Sequence, residues 1–461
     1  MPERYHIHTV PTPQRFERVG KFGTSDWRED CSRCKNCVKL RCLYKNYQSE
    51  ADYNRDATEP VEPLFECKAC LSCVQGCTKG LLSLVINPEY LALGDDYWRP
   101  DILSTTWDQS EAGRIPVSGA GYRGPFSGPG FDSMWTDMSE IVRPTRDGIH
   151  GREYISTSVD IGANPAQLEF DDSGVLTNPS NLIEVQMPML LEAAPWGDPS
   201  EDILRARISA AASLRTMAVI PAHYLHAVPA EQRRHVVPLF GDGEALPKTD
   251  ALTQCRLVEI ADGPACLKTV QNLREAKPAF LIGVRLPLRA GAAARTLELQ
   301  QAGVSVIHLC ANFQGREIET GRPRFLKEVL REIHGHLVQK GVRNEVTLIA
   351  SGGIALAEHT AKAIICGADL VGVDIPLLIS LGCRVCPGTH THGCPAQIQA
   401  APVPYAAQRM VNLMGAWHNQ LIEVLGAMGI REVRRLRGEV GRAMFIEDLE
   451  RDAFKDLARQ S

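Results

Sequence analysis

The sequence predicts an α/β protein whose largest part is a compact (β/α)8 barrel of the TIM type. Three observations support this prediction. Eight short apolar runs suited to buried strands follow one another between residues 187 and 376, amphipathic helical segments separate most of them, and dense cysteine runs occupy a separate N-terminal region. A doubly wound parallel sheet is the competing arrangement, because it needs the same alternation of strands and helices.

The predicted strands are, in chain order, MPMLLEA, TMAVIPA, HVVPLF, RLVEIA, FLIGVRL, VSVIHLC, VTLIASG and LVGVDIP. The predicted helices between them are SEDILRARISAAASL, LKTVQNLREA, AAARTLELQQAG, RPRFLKEVLREIHGHLVQKG and LAEHTAKAIICGA. The third strand has no convincing helix on either side. The barrel is therefore expected to be small, with short loops around its substrate.

Composition excludes several classes of protein. The net charge of −5 and the pI near 6.2 give no sign of a nucleic-acid partner. The first residues contain no apolar signal-peptide core, and no stretch of about 18 apolar residues predicts a membrane span. Fifteen cysteines without an export signal point to a reducing compartment, so the expected location is the cytoplasm.

Two cysteine runs near the N-terminus carry the strongest signal. Residues 31–42 read CSRCKNCVKLRC and residues 67–77 read CKACLSCVQGC, a pairing typical of bacterial ferredoxins, in which the fourth cysteine of each run ligates the other cluster. The first run has one extra residue, and Thr78 stands where proline is usual. Structural zinc is the alternative, but zinc sites usually present two pairs rather than two tetrads. We predict two [4Fe-4S] clusters, one held by Cys31, Cys34, Cys37 and Cys77, the other by Cys67, Cys70, Cys73 and Cys42.

The predicted organisation has four parts. Residues 1–95 form a ferredoxin-like domain with two [4Fe-4S] clusters, residues 96–180 a Gly/Pro-rich connecting segment, residues 181–400 the barrel with a third cysteine cluster, and residues 401–461 a C-terminal extension of two or three amphipathic helices. The connecting segment contains GAGYRG, which matches a dinucleotide-binding pattern. Pro125 follows at once and prevents a helix from starting there, so no NAD(P) site is expected.

Chemistry in such a barrel is expected at the carboxyl ends of the strands. Ser351, Gly352 and Gly353 follow the seventh strand, where bare glycine backbone can approach a flavin phosphate at a helix start; plain loop glycines are the alternative. Arg285 in the fifth strand needs an anionic partner, either a flavin or Glu259. Three histidines near strand ends, His223, His226 and His308, are most simply core or loop residues.

The order of these pieces resembles the iron–sulfur/FMN domain of the glutamate synthases, over residues 115–435. The resemblance rests on LEAAPWGDPSEDILRARISAAASL, on GVRLPL, and on LIASGGIALAEHTAKAIICGADLVGVDIPLLISLGC. It implies FMN at the strand carboxyl ends and a third iron–sulfur cluster beside it. The residues it implies for FMN are Ala194, Trp196, Gly197, Arg285, Ser351, Gly352, Gly353 and Gly372.

The third cysteine cluster departs from the family pattern C-x5-C-x4-C. Cys383 and Cys394 match, Thr389 stands at the middle position, and Cys386 is predicted to substitute. The predicted site is a [3Fe-4S] cluster or an open-sited [4Fe-4S] cluster ligated by Cys383, Cys386 and Cys394. Zinc and a metal-free thiol-rich loop are the alternatives, and the candidates for a fourth ligand are His390 and His392.

Other departures concern the flavin and substrate sites. Arg285 replaces the family's lysine, and IADGPACL replaces its lysine- and glycine-rich loop. Asp374 replaces a phosphate-facing glycine and is expected to repel a phosphate. The sequence starts with Met1-Pro2 rather than the cysteine of a glutamine amidotransferase, so ammonia production from glutamine is not expected.

The resemblance implies an iron–sulfur flavoprotein oxidoreductase subunit. Electrons would pass from the N-terminal clusters through the third cluster to FMN and then to a small substrate; the family reaction is reductive formation of glutamate from 2-oxoglutarate. Redox partner proteins are expected, and no catalytic residue is assigned. The first alternative is a flavin-less electron-transfer or scaffold subunit of a larger redox complex, and the second is a structural zinc protein.

Overall fold

The structure is a computed structural model that describes most of the chain. The described residues are 5–26, 38–43, 67–115, 127–136, 155–164, 167–177, 181–245, 250–275, 280–319, 321–386 and 394–454. They fall into two compact units. The smaller unit lies between residues 14 and 103 and includes residues 384–386, and the larger unit contains the barrel.

The smaller unit is built on a two-stranded antiparallel sheet. Strands β1 (Phe22–Asp26) and β2 (Leu82–Ile86) pair with Phe22 opposite Ile86. Among the described residues of this unit, three short helices accompany them, α1 (Val38–Arg41), α2 (Ser72–Gly76) and α3 (Pro88–Leu91). The side chain of Asn87 caps α3 by accepting a hydrogen bond from the Glu89 amide at 2.9 Å, the usual use of asparagine at a helix start.

The larger unit is a closed barrel of eight parallel strands. They close in chain order, with the last strand pairing with the first: β6 (Met189–Leu191), β7 (Ala218–Pro221), β8 (Val236–Phe240), β9 (Leu257–Ala261), β10 (Leu281–Pro287), β11 (Val306–Cys310), β12 (Thr347–Ser351) and β13 (Leu370–Val373). Strands buried on both faces read as continuous apolar runs, which is why they were visible in the sequence. All eight predicted strands are confirmed, and the doubly wound alternative is wrong.

The predicted helices also occur at the predicted places. In the part of the larger unit that the structure describes, the helices are α4 (Pro100–Ala112), which begins in the smaller unit, α5 (Glu201–Ser213), α6 (Asp250–Thr253), α7 (Cys266–Glu275), α8 (Ala292–Gln301), α9 (Leu326–Gln339), α10 (Ala357–Ile365), α11 (Ile375–Ser380), α12 (Val403–Ala427) and α13 (Ile446–Phe454). Around the third strand, β8, two 3-10 turns over 222–227 and 230–235 and the short α6 replace full helices. This confirms the gap expected there.

A hairpin covers the amino end of the barrel. Strands β4 (Val159–Ala163) and β5 (Asn181–Val185) pair antiparallel, and β4 contacts β11 and β12. The hydroxyl of Thr347, the first residue of β12, donates to the carbonyl of Gly162 at 2.8 Å and accepts from its amide at 3.0 Å. Substrate chemistry is therefore expected at the opposite, carboxyl end.

The C-terminal region contains two helices, as expected, and one short strand in addition. The 25-residue α12 packs against α5 and α10, as predicted for a helix lying on the barrel. Beyond it, β14 (Ala443–Phe445) pairs with β3 (Met134–Thr136) before α13 begins. The helices α12 and α13 confirm the predicted helical extension. The β3–β14 pair is an addition that the sequence does not reveal, because a three-residue strand is too short to show alternation. Across the described residues, no helix combines the length and apolar character needed to cross a membrane.

Candidate functional site

Polar and charged side chains converge at the carboxyl ends of the barrel strands. Glu192 directly follows β6, Glu259 lies in β9, Arg285 in β10 and His308 in β11, and Ser351 is the last residue of β12. Ends of parallel strands meet at one rim of a barrel, so residues far apart in sequence become neighbours there. We call these five residues the rim cluster.

Arg285 is paired with two carboxylates of the protein itself. Its Nη2 lies 2.5 Å from Glu192 Oε2 and its Nη1 3.2 Å from Glu192 Oε1, an arrangement in which both terminal nitrogens donate to one carboxylate. A third bond reaches Glu259 Oε2 at 3.4 Å. The sequence named Glu259 as the alternative partner, and this is confirmed; Glu192 was not anticipated.

His308 is fully buried and bridges the two carboxylates. Its Nδ1 lies 2.8 Å from Glu259 Oε1, and its Nε2 lies 3.1 Å from Glu192 Oε1 and 3.0 Å from Ser351 Oγ. The Ser351 hydroxyl donates to Cys310 Sγ at 3.4 Å, so it accepts from the imidazole. Burial alone would lower the pKa of His308, but the negative charges around it, chiefly that of Glu259, raise the pKa well above its ordinary 6.5. We therefore assign an imidazolium that donates from both nitrogens.

Glu192 is the anion at the centre of the cluster. It is only 3% exposed, and its backbone amide donates to Val373 O at 2.8 Å, which fixes it between β6 and β13. Burial opposes ionisation of this carboxyl, yet Arg285 and then His308 outweigh the effect and lower its pKa to about 2. The rim cluster thus holds two cations and two anions.

Asp374 lies just beyond β13 and is buried. Its Oδ1 accepts a hydrogen bond from the Ile375 amide at 2.6 Å and so caps the start of α11. Burial, with a further contribution from the charge of Glu192, raises the pKa of this carboxyl from 3.8 to about 7. With a pKa of about 7, the residue expected to repel a phosphate is only partly ionised at neutral pH, and its carboxyl is engaged in capping a helix.

The glycines predicted to face a flavin are closely packed by the chain itself. Gly352 (φ +92°) and Gly353 (φ +71°) adopt left-handed backbone conformations, and a Cβ atom would lie 2.5 Å from Asn312 O at the first and 2.5 Å from Gly315 Cα at the second. At Gly372 a Cβ would lie 2.8 Å from Cγ of Glu192. The loop over 311–315 and Glu192 therefore fill the space that these glycines leave.

The residues after the first barrel strand have a different setting. Ala194 is buried, Trp196 is 55% exposed, and a Cβ atom at Gly197 (φ +88°) would meet nothing within 4 Å. The Trp196 ring meets Phe313 edge-on, with centroids 6.2 Å apart. An aromatic contact between an exposed Trp196 and a half-buried Phe313 thus joins the loops after β6 and β11. His223 and His226 lie in the turn after β7, so the structure brings only His308 of the three histidines into the cluster.

A buried arginine that the sequence analysis missed holds the ends of β6 and β7 together. Arg207 of α5 donates to the carbonyls of Leu191 at 3.1 Å and Val219 at 2.5 Å, and to both carboxylate oxygens of Asp198 at 3.1 and 2.6 Å. A planar guanidinium can make these four bonds at once, and a lysine ammonium cannot. Leu191 directly precedes Glu192 and Asp198 lies two residues after Trp196, so Arg207 holds the chain on both sides of these residues.

We predict that Arg207→Lys lowers the free energy of unfolding by about 2 kcal/mol, because bonds to buried carbonyls are lost while the charge remains. Urea denaturation followed by circular dichroism measures the change. Arg205→Lys, on the same helix with a side chain 61% exposed, is the matched control and should change stability by less than about 0.5 kcal/mol. Equal effects of the two substitutions would contradict the anchoring role.

The predicted cluster ligands are only partly described. Cys31, Cys34, Cys37, Thr389, His390 and His392 lie outside the described residues, as does the GAGYRG segment. Backbone amides point at two of the described thiols: Ala69 N lies 3.3 Å from Cys67 Sγ and Leu81 N 3.3 Å from Cys77 Sγ. Cys383, Cys386 and Cys394 are each half-buried. Within the described part of the chain, no three His, Cys, Asp or Glu side chains are grouped so as to hold a metal ion.

Comparison with known proteins shows what part of the barrel is similar to. Residues 244–431, which include β9 to β13, match the family described as the conserved region in glutamate synthase. The chain is related to the glutamate synthases. The archaeal-type glutamate synthase [NADPH] of Dehalococcoides mccartyi is 22% identical over 91% of this chain and 94% of its own. The archaeal glutamate synthase [NADPH] of Archaeoglobus fulgidus is 23% identical over 97% of each.

The relationship is stronger in a short stretch. The archaeal glutamate synthase [NADPH] of Methanocaldococcus jannaschii is 35% identical over 121 residues, 24% of either chain. Among solved structures, a mandelate oxidase variant with an FMN adduct aligns with 76% of this chain and 93% of its own at 17% identity and a TM-score of 0.40, which supports no conclusion about function. The family match covers Glu259, Arg285, His308 and Ser351, whereas Glu192 lies outside it.

Proposed function

We propose that this chain is an iron–sulfur flavoprotein oxidoreductase subunit of the glutamate-synthase type. In this proposal, electrons enter at the N-terminal clusters, pass the Cys383, Cys386 and Cys394 centre, and reach FMN at the carboxyl end of the barrel, where a small substrate is reduced. The observation that carries the proposal is the rim cluster, because four of its five residues lie in the region shared with glutamate synthase.

Several features of the barrel rim suit a flavin ring. The Arg285 side chain is 22% exposed. Its guanidinium is therefore held by Glu192 and Glu259 and still reaches the open end of the barrel. Trp196 and Phe313, on the loops after β6 and β11, offer apolar surface at the same end of the barrel. When bound, FMN would supply the redox chemistry, by taking electrons singly from a cluster and delivering a pair to the substrate. Arg285 would contact the ring, and the backbone at Ser351–Gly353 and Gly372 would hold the phosphate.

The protein's own contribution is to hold charge in place. Glu192 and Glu259 fix the guanidinium of Arg285, so that its positive charge is oriented before any ligand arrives. His308 ties both carboxylates to Ser351 and therefore to the start of the glycine segment. A preorganised cation favours developing negative charge on a neighbouring electron acceptor, which is the requirement of a reductive step.

The turns around two N-terminal cysteines support cluster binding. Ala69 (φ +54°) and Leu71 (φ +60°) adopt left-handed conformations next to Cys67 and Cys70, and such turns direct backbone amides toward sulfur. Amide-to-sulfur hydrogen bonds, here to Cys67 and Cys77, stabilise thiolates and tune cluster potentials. Cysteine-rich clusters of this kind also suit a reducing compartment such as the cytoplasm.

The loop after β9 differs from that of the glutamate synthases, so the family's reaction is not assigned to this chain in full. In place of a lysine- and glycine-rich loop, the chain has a short connection in which Asp262 accepts bonds from Arg295 at 2.7 and 3.1 Å. This contact ties the connection to α8. The proposal therefore specifies reductive chemistry on a small substrate and does not name glutamate as the product.

Flavin and metal content test the proposal directly. The full chain is purified without oxygen, flavin is released by acid and identified, and iron and zinc are measured in the same sample. We expect FMN close to one per chain and iron sufficient for three clusters. Zinc in place of iron would refute the redox function.

A pair of variants sharpens the metal measurement. Cys77→Ser should lose the iron of one cluster, since a serine ligand binds iron less well than a thiolate. Cys255→Ala is the matched control: Cys255 is buried, burial raises its pKa to about 11, and its loss should leave the iron content unchanged. Unchanged iron in Cys77→Ser would remove this residue from the cluster.

One observation favours a second candidate function, a flavin-less electron-transfer or scaffold subunit. The charged groups of the rim cluster satisfy one another, and the faces of Gly352, Gly353 and Gly372 are filled by the chain's own atoms. A barrel of this kind is stable without a ligand. Iron at the level of two or three clusters with no flavin in the purified chain would select this function over the first.

A further inference from the structure

We propose that Glu192 is a built-in anion that competes with FMN for the carboxyl end of the barrel and thereby sets the affinity for the flavin. The inference rests on the proposed function and concerns the regulation of that same site. Two observations carry it: the space that Glu192 fills over Gly372, and the way it engages Arg285.

The first observation is the position of the Glu192 side chain. Gly372 lies opposite Ser351 of β12 and Leu190 of β6, so its bare backbone faces the interior between these strands. A Cβ atom there would lie 2.8 Å from Cγ and 3.0 Å from Cδ of Glu192. The glutamate side chain therefore occupies the space that the missing side chain of Gly372 would otherwise leave for a ligand.

The second observation is the charge balance of the rim. Arg285 directs both terminal nitrogens at Glu192, and His308 donates to the same carboxylate. Two cations and two anions cancel, so an incoming phosphate meets no net positive charge. Neutralising Glu192 alone would leave one positive charge in excess at the exposed edge of Arg285, and an anionic ligand would then bind better.

Glu259 does not play the same part. It is fully buried, lies farther from Arg285 at 3.4 Å, and makes its short bond of 2.8 Å to His308. Its charge balances the imidazolium beneath the rim, whereas that of Glu192 lies against the guanidinium and Gly372. Access of FMN is therefore controlled by Glu192 rather than by the buried acid below it.

The test is flavin binding by the full, cluster-loaded chain. Protein freed of flavin is titrated with FMN and with riboflavin, and binding is followed by quenching of flavin fluorescence. We expect Glu192→Gln to bind FMN about tenfold more tightly than the wild type, with a much smaller gain for the uncharged riboflavin, because the change removes a negative charge. Glu201→Gln, an exposed acid of α5, is the control and should leave the affinity unchanged.

The outcomes separate this inference from the function on which it rests. Equal FMN affinity in the wild type and in Glu192→Gln overturns the inference. If that shared affinity is high, the proposed function is still supported. No FMN binding by either protein overturns both. Binding by Glu192→Gln alone supports the inference and selects the flavin-less function for the natural chain.

A second variant keeps the inference testable if Glu192→Gln does not fold. Glu192→Asp keeps the charge but withdraws the carboxylate from Arg285 and Gly372 by one methylene, and we expect FMN to bind about threefold more tightly. Thermal unfolding monitored by circular dichroism establishes that each variant is folded. An aspartate variant that binds FMN no better than the wild type also contradicts the competition.

Discussion

Replacing His308 with leucine is expected to lower the free energy of unfolding by about 3–5 kcal/mol, the usual effect of removing one partner from a buried ionic group. The imidazolium is fully buried and bonded to Glu259 at 2.8 Å and Glu192 at 3.1 Å. Leucine fills similar space but leaves both carboxylates short of a donor, with only Arg285 to balance them. Urea denaturation of the wild type and the variant at pH 7 measures the difference.

A double variant tests whether the loss comes from unpaired charge rather than from altered packing. Glu259→Leu combined with His308→Leu removes a whole ion pair, and such a replacement is often close to neutral. We expect the double variant to lose less free energy of unfolding than the sum of the losses in the two single variants. A loss below about 1 kcal/mol in His308→Leu alone would mean that the imidazole is uncharged and bears little on stability.

The barrel was predictable because its strands are buried on both faces. Every residue of β12 and β13 is buried, so each strand appears in the sequence as an unbroken apolar run bounded by loop residues. The missing helices around β8 were predictable for the opposite reason: no 3.6-residue periodicity lies on either side. The β3–β14 pair was not predictable, since three residues cannot establish a period of two.

The rim cluster was only half predictable. A charged residue inside an apolar run must find a partner, and adjacent strands β9 and β10 made Glu259 a natural partner for Arg285. Glu192 was missed, although the predicted strand MPMLLEA contains it, because the sequence does not show that the first and fifth strands bring it beside Arg285. The signal that could have found it is its place directly after MPMLL, since the carboxyl ends of barrel strands carry functional side chains.

The glycines show a limit of motif reading. A Ser-Gly-Gly sequence after a barrel strand is compatible with a phosphate-binding site, and it is equally compatible with close packing of one backbone segment against another. The sequence does not specify which neighbour approaches a bare Cα atom. In the structure the neighbours are the loop over 311–315 and Glu192, a tertiary arrangement that depends on residues distant in sequence.

Asp374→Asn is expected to stabilise the protein at neutral and alkaline pH. Burial, with Glu192 nearby, raises the pKa of Asp374 from 3.8 to about 7, so the folded chain holds this proton more tightly than the unfolded chain does. The favourable contribution of the protonated acid is complete below about pH 4 and is lost as the pH rises to about 7. Asparagine stays neutral, and it caps a helix as well as aspartate does.

The pH dependence of the difference between variant and wild type isolates Asp374 from the other titrating groups around it. A pKa displaced from 3.8 to about 7 corresponds to roughly 4 kcal/mol, so the free energy of unfolding of Asp374→Asn should exceed that of the wild type by up to that amount at pH 8 and by little at pH 4. Asp202→Asn, on the exposed side of α5, is the control and should show no such trend. A difference that stays constant from pH 4 to pH 8 would mean that Asp374 is ionised in the folded protein and that its negative charge does face the end of the barrel where a phosphate would have to bind.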